Sequence, residues 1–550
     1  MKAACVLGRR LFRASSLRPI LAPAQNAAVV RRASLAIVNG MIWGSQQRAT
    51  ALAVVGERIA AIGTDNDVRS LVDGATRIVD SRGGTIVPAF NDSHIHFLMG
   101  SRSLDELDLS GAETVAEIER RIAEHAARRP RGWLIGRGWP YAAFPGGMPT
   151  LDILDRLVPD RPAYLESFDT HTAWVNTSAL TASRVETGTQ PGILKEGAMD
   201  DFERHLPKRT RDEDLDAIRA GMRLAASKGI ASIQEASRGF DQVPLYATLL
   251  ERGELTLRVR LAFDMGPGHP MDAWSRRLEL YSEAARPPSD NWISTGIVKA
   301  FADGVVESKT ASMIEPYAGM AAADAGALGA PLWERGELAE AIRIAGNQGW
   351  QVEVHAIGDR AIRDALDGFA ASEPGRRPRI EHIEAPAESD IARFARLGVI
   401  ASMQPQHAEP TRNLLEVWVP NLGHERAARG FPWASILKSG GRLAFGTDWP
   451  VVPLDPLASL YVAVNRQTFS GQPPGGWLPH QRLSLEHAVA AWTSGAAYAE
   501  HRELQKGALK IGMLADIAVL DRDLLRTPAS EIASIKVEAT AVGGRLVYES

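Results

Sequence analysis

His94-Ile95-His96 sets two imidazoles two residues apart. On a strand, residues i and i+2 point to the same side, so both rings can reach one cation. Alone the pair is a weak signal that two ordinary polar residues would also give. Three further potential ligands fall at the ends of candidate strands: His355 after Glu353-Val354, His382 after Arg379-Ile380-Glu381, and Asp448 after Phe445-Gly446-Thr447. The chain has 13 histidines, and four of them at the ends of candidate strands, with Asp448 beside them, argue against chance placement. Cys5 is the single cysteine, so no intramolecular disulfide can form and a metal site must draw on His, carboxylate or Lys donors. Lys299 lies inside the apolar run Gly296-Ile297-Val298-Lys299-Ala300-Phe301. A buried lysine is costly unless paired or modified, and an ammonium has no lone pair to offer a metal. Carboxylation by carbon dioxide would give an oxygen ligand able to bridge two metals; a salt bridge to Asp303 or Glu235 accounts for the residue equally well.

Short apolar runs that alternate with helical stretches must position these residues, the pattern of parallel βα units. Eight strand candidates stand out: Thr85–Phe90, Ile230–Gln234, Leu257–Phe263, Gly296–Phe301, Trp350–His355, Arg379–Ile383, Val399–Met403 and Leu443–Gly446. Leu338–Asn347 and Asp390–Leu397 carry helix-period apolar residues between them. Eight strands with crossover helices predict an α/β fold, a (β/α)8 TIM-type barrel over residues 85–499. The gap between the first two strands is far longer than a helix needs. Residues 100–208 are therefore expected to form an insertion, a lid or substrate wall over the barrel mouth. Short strands at both ends, over residues 33–84 and 500–550, are each too few to bury a core, which predicts one small β-sandwich domain assembled from both.

The 550 residues are 45% hydrophobic and 23% charged with a net charge of -4, a globular composition that gives no sign of a nucleic-acid partner. No apolar run approaches the roughly 20 residues of a membrane span, so no membrane association is expected. Residues 1–32 differ: they hold six arginines and no acid, and the first acidic residue of the chain is Glu57. That composition fits a leader, and Arg9-Arg10-Leu11-Phe12 faintly resembles a twin-arginine signal, but a disordered tail or an early start codon fits as well. The expected compartment is cytoplasmic, with the leader leaving periplasm or an organelle open.

The phrases Trp133-Leu134-Ile135-Gly136-Arg137-Gly138-Trp139, Asp169-Thr170-His171-Thr172-Ala173-Trp174-Val175-Asn176, Phe301-Ala302-Asp303-Gly304, His355-Ala356-Ile357-Gly358-Asp359-Arg360-Ala361 and residues 507–516 resemble one branch of the amidohydrolase superfamily. This is the amidohydrolase-3 branch, which includes N-substituted formamide deformylases. The resemblance runs from about Ala33 to Tyr548. It implies that His94, His96 and Asp448 hold one metal and His355 and His382 a second, bridged by a carboxylated Lys299, with zinc the usual ion and one or two sites filled. Two departures bear on the substrate. Thr170 stands where the branch usually has glycine, so the loop is expected to do without a glycine conformation. Val305-Val306-Glu307-Ser308-Lys309-Thr310-Ala311 replaces a Gly- and Ser-rich run.

The expected activity is hydrolysis of a non-peptide C–N bond in a small molecule (amide, formamide or cyclic amide), with Asp448 shuttling the proton and a metal activating the water. His171 is the candidate for polarising the carbonyl, or else a structural histidine capping a loop. Arg137, Trp139, Glu307 and Arg360 are candidate pocket residues, each readable also as a packing or ion-pair residue. An ester or lactone hydrolase or a deaminase on the same site is the rival enzyme. A non-catalytic regulatory protein is disfavoured because none of the six ligand positions is lost. A homodimer is left open.

Overall fold

The computed structural model describes residues 32–45, 49–185, 190–237, 239–284, 291–372 and 375–550. The leader and Cys5 lie outside them, save Arg32. Eight parallel strands make the central sheet, each hydrogen-bonded to the next in chain order: β1 (Phe90–Ile95), β2 (Ile230–Glu235), β3 (Arg258–Asp264), β4 (Ile293–Phe301), β5 (Gln351–Ala356), β6 (Arg379–His382), β7 (Ile400–Met403) and β8 (Arg442–Phe445). The result is a TIM-type barrel, nearly closed, with additional sheets. Its crossover helices start and stop where local chemistry dictates. Thr210 and Glu213 form a capping box for Arg211–Ser227. Gly398, at φ 65, ends Glu388–Leu397.

Seven expected strands recur with ends moved by at most three residues. The first does not. Thr85–Pro88 pairs with Met41–Ile42 and Ile517–Leu520 in a five-stranded sheet, and the barrel strand begins at Phe90. An apolar run is at home in either sheet, so its composition could not say which one claims it. The true β1 is polar, with Asn91, Asp92, Ser93 and His94 all buried. A search for apolar alternation passes over it.

That five-stranded sheet continues through Val537–Val542 and Arg545–Glu549. It shares a core with a four-stranded sheet of Leu35–Val38, Ala51–Val55, Arg58–Gly63 and Arg77–Asp80; Leu35, Ile37, Leu52, Ile86, Ile517 and Ala541 meet there. Between β1 and β2 the chain builds another sheet from Leu107–Asp108, Leu134–Trp139, Ala163–Ser167, Thr172–Val175 and Ile193–Lys195. This unit has its own core around Leu109, Ile118, Trp139, Tyr141, Leu165 and Trp174.

Among the described residues no ladder joins β1 to β8; the joint is made at the barrel mouth. The Asp448 N–H donates to His94 O at 2.7 Å and the His96 N–H to Trp449 O at 2.9 Å. Asp92 accepts from the Thr447 N–H at 3.0 Å and from Thr447 Oγ1 at 2.6 Å. Gly446 is required for this approach, since a Cβ there would lie 2.5 Å from His94 N. Trp492, in the helical stretch between Leu485 and Ala499, packs edge-on against Phe90 at 6.1 Å.

Candidate metal centre

His94 lies in the wholly buried β1 and directs Nε2 toward Asp448 Oδ1 at 3.3 Å; His96 Nε2 lies 3.2 Å from the same oxygen. His94, His382 and Asp448 each offer a ligand atom within 4.8 Å of the others. His355 packs on His382 with ring centroids 4.5 Å apart, and Lys299 Nζ lies 3.5 Å from His94 Nε2. All six expected ligand positions therefore meet at one end of the barrel.

Backbone conformation helps bring them there. His382 (φ 74), Ile383 (φ 54) and Asp448 (φ 62) lie in the left-handed region, where non-glycine residues are uncommon and carry strain. Glu381 points into the barrel, and the turn at His382 lets the next side chain face the mouth as well.

Burial sets the charge states. His96 is pushed down to about 4 by burial. His355 and His382 fall well below the usual histidine range, chiefly through burial, with His171 and His355 as the respective leading neighbours. Burial opposes ionisation of Asp448, but His94 and His96 hold it well below the ordinary carboxylate range. For His94, burial and Lys299 act downward, yet Glu381 and Asp448 outweigh them and bring it to about 8. Neutral imidazoles and an ionised carboxylate are the forms that bind a cation; His96, His355, His382 and Asp448 are in those forms, and His94 must give up its extra proton to join them. The arrangement also fits one: Asp448 Oδ1 is buried with no hydrogen-bond partner while two imidazole nitrogens converge on it. Three lone-pair donors facing one point need a positive charge between them.

The side chains behind the candidate ligands were not singled out from sequence. His94 Nδ1 is 2.7 Å from Glu381 Oε2, His96 Nδ1 3.0 Å from Ser237 Oγ, and His382 Nδ1 2.8 Å from Gln404 Oε1. His407 stacks on His382 and brings Nε2 to 3.6 Å from Asp448 Oδ2. Glu381 was legible in principle, two residues from Arg379 on the inward face of a strand. His407 was not, because it sits on a short 3-10 turn after β7. The ion pair from Lys299 to Asp303 or Glu235 is not formed. Asp303 accepts from the backbone of Ser312, Ile357 and Gly358, and Glu235 from that of Leu98 and Ser237. Burial lowers the Lys299 pKa, against the pull of Glu353, Glu381 and Asp448.

The centre opens into a cavity of about 1900 Å³ between the barrel mouth and the inserted sheet, lined among others by His171, Arg137 and Glu307. The His171 ring is 5.3 Å from that of His355, and its Nδ1 lies 2.9 Å from Glu196 Oε2. Burial lowers the His171 pKa, but Glu196 and Asp169 more than compensate and bring it to about 9. Contrary to the expectation that the loop does without a glycine conformation, Thr170 takes φ 62 in the left-handed region. It is held there by the Thr170 N–H to Ser167 O at 3.2 Å and the His171 N–H to Asp169 Oδ1 at 3.1 Å. Burial and the neighbours Glu384 and Asp169 push Glu307 well above the carboxylate range, and it accepts from Asn413 Nδ2 at 3.2 Å. The Arg137 guanidinium donates to Pro450 O.

Two expected pocket residues are corrected. Trp139 is fully buried inside the inserted unit, packed on Tyr141 and Phe144, with Nε1 donating to Leu165 O at 2.8 Å. Arg360 pairs with Asp364 one helical turn on at 3.0 Å and does not line the cavity.

The His/His/Asp cluster at the mouth of this barrel could hold a divalent metal, and the family match makes the protein a hydrolase. The chain belongs to the amidohydrolase family, which it matches over residues 77–548. It is 29% identical to protein LONG AFTER FAR-RED 3 of Arabidopsis thaliana (94% of this chain, 92% of that one). It is 24% identical to an N-substituted formamide deformylase of Arthrobacter pascens (91% and 95%). Among solved structures, an uncharacterized metal-dependent hydrolase from Pyrococcus horikoshii OT3 superposes with a TM-score of 0.71 at 26% identity, over 90% of this chain and 99% of that one. The family and the His/His/Asp cluster support a divalent metal. No helix among the described residues is long and apolar enough to cross a membrane.

Proposed function

We propose that the protein hydrolyses a non-peptide C–N bond (amide, formamide or cyclic amide) of a small molecule, with zinc as the ion. The observation that carries this reading is the unpartnered Asp448 Oδ1 facing His94 and His96 in a cavity that also receives His171. His94, His96 and Asp448 would hold one ion, and His355 and His382 a second. Lys299 joins the set as a carbamate. An ammonium 3.5 Å from His94 Nε2 would repel a cation bound there, so the lysine must lose its charge when that site fills.

When bound, such an ion supplies Lewis acidity, lowering the pKa of water to about 7 and polarising a carbonyl. Asp448 takes the proton of the attacking water on its free carboxylate edge and returns it to the leaving nitrogen. His171 spends Nδ1–H on Glu196, which leaves Nε2–H to donate to the substrate carbonyl oxygen. Arg137 and Glu307 form part of the wall against which the substrate lies. The formamide deformylase likeness over nearly the whole chain favours an amide bond over an ester.

The test is a screen of zinc-loaded protein, prepared with and without bicarbonate, against N-formyl, N-acyl, cyclic amide and ester substrates. Amide cleavage that a chelator abolishes is the expected result. Turnover of esters alone, or activity indifferent to chelator, would overturn the reading.

A further inference from the structure

Each of the three histidines nearest Asp448 or in its cluster has a partner on Nδ1, but the partners differ in charge. Ser237 and Gln404 are neutral. Glu381 is a carboxylate, and with His94 it is fully buried, the two groups 2.7 Å apart. A carboxylate sealed from water needs a counter-charge, and Arg379, also fully buried, provides one: its Nε donates to Glu381 Oε1 at 2.9 Å. The rest of that guanidinium is anchored across the barrel. It donates to Gln234 Oε1 on β2 at 2.5 Å, to Ser402 Oγ on β7 at 3.0 Å and to Ser93 O on β1, and lies 3.4 Å from Glu353 on β5. One side chain of β6 thus touches four other strands immediately beneath the ligands.

We propose that Arg379 and Glu381 are the positioning pair of the metal centre. Glu381 holds His94 as the Nδ1–H tautomer, turns Nε2 to the ion and raises the basicity of the ring. Arg379 fixes the carboxylate in place. His94 is then the strongest nitrogen donor of the set, ahead of His96 and His382. This inference rests on the metal reading above and adds to it which donor dominates and why.

Metal affinity, measured by chelator competition and by the visible spectrum of the cobalt(II)-substituted protein, tests it without reference to any substrate. Glu381→Gln keeps an acceptor but loses the charge. It is expected to weaken binding by about 10–100-fold and to shift the cobalt bands. Ser237→Ala, which removes a neutral partner from His96, is expected to cost several-fold less. Glu381→Asp retains the charge at a greater distance and should fall between wild type and Glu381→Gln, and it decides the matter should Glu381→Gln fail to fold. Glu381 variants that bind as tightly as wild type, or a Ser237→Ala loss as large as that of Glu381→Gln, would overturn the proposal and leave the hydrolase reading standing. A wild-type protein that takes up no ion would overturn both.

Discussion

Asp448 joins two roles that are hard to satisfy together: its backbone sits at φ 62 while one carboxylate oxygen faces two imidazoles. Asp448→Asn is nearly isosteric and leaves the N–H bond to His94 O in place, so the fold should survive. Turnover should drop by about 10²–10⁴-fold, the span associated with a lost proton-transfer group. Steady-state kinetics together with an unchanged circular dichroism spectrum check this. At this scale the sequence discloses residue types and their order along strands, which is why six candidate positions that the fold gathers at one barrel end could be named. It discloses poorly where a side chain ends up when tertiary packing decides. Trp139 and Arg137 are two residues apart on one strand, yet one fills a core and the other lines the cavity. Arg360 follows a ligand motif closely but is captured by a carboxylate on its own helix.

Strands were legible where apolar residues hold at least the outward side, as in β2 through β8, including β6, where Ile380 alternates with the inward Arg379 and Glu381. β1 was not, because polar residues follow one another along it. β1 carries buried Asn91, Asp92, Ser93 and His94, and its cost is met by specific partners that no local pattern reveals, such as Thr447 for Asp92 and Glu500 for Asn91. Gly446 follows from the same crowding. Gly446→Ala would force the loop after β8 away from β1, because the new methyl would meet His94 N at 2.5 Å and Asp92 Oδ1 at 2.8 Å. A destabilisation of about 1–3 kcal/mol is expected, with a larger fractional loss of metal affinity than of stability, measured by denaturant titration and chelator competition. Unchanged metal affinity would show that the loop and the ligands move independently.

For the molecule as a whole, the terminal sheets are fastened to the barrel by charge as well as by apolar contact. Arg258, at the start of β3, makes a bidentate pair with Asp516 at 2.8 and 3.0 Å, and the same carboxylate accepts from the Gly543 N–H at 2.8 Å. Both side chains are almost wholly buried. Arg258→Met would leave Asp516 uncompensated and should cost about 3–5 kcal/mol, read as a lower Tm in calorimetry, whereas Arg258→Met with Asp516→Leu should recover most of it. Alternation of strands and helices made the barrel legible at this scale. The partnership between Thr85–Pro88 and Ile517–Leu520, more than four hundred residues apart, was not, since nothing in either segment names the other.

The joint between β1 and β8 gives this barrel an unusual kind of portability. Histidines copied onto the strand ends of another scaffold would lack the hydrogen bonds that set their spacing: Asp448 N–H to His94 O, His96 N–H to Trp449 O and Thr447 N–H to the Asp92 carboxylate. The smallest unit a designer could transplant is therefore a splice between the first and last strands, with glycine at its crowded point, and the ligands would travel as part of it.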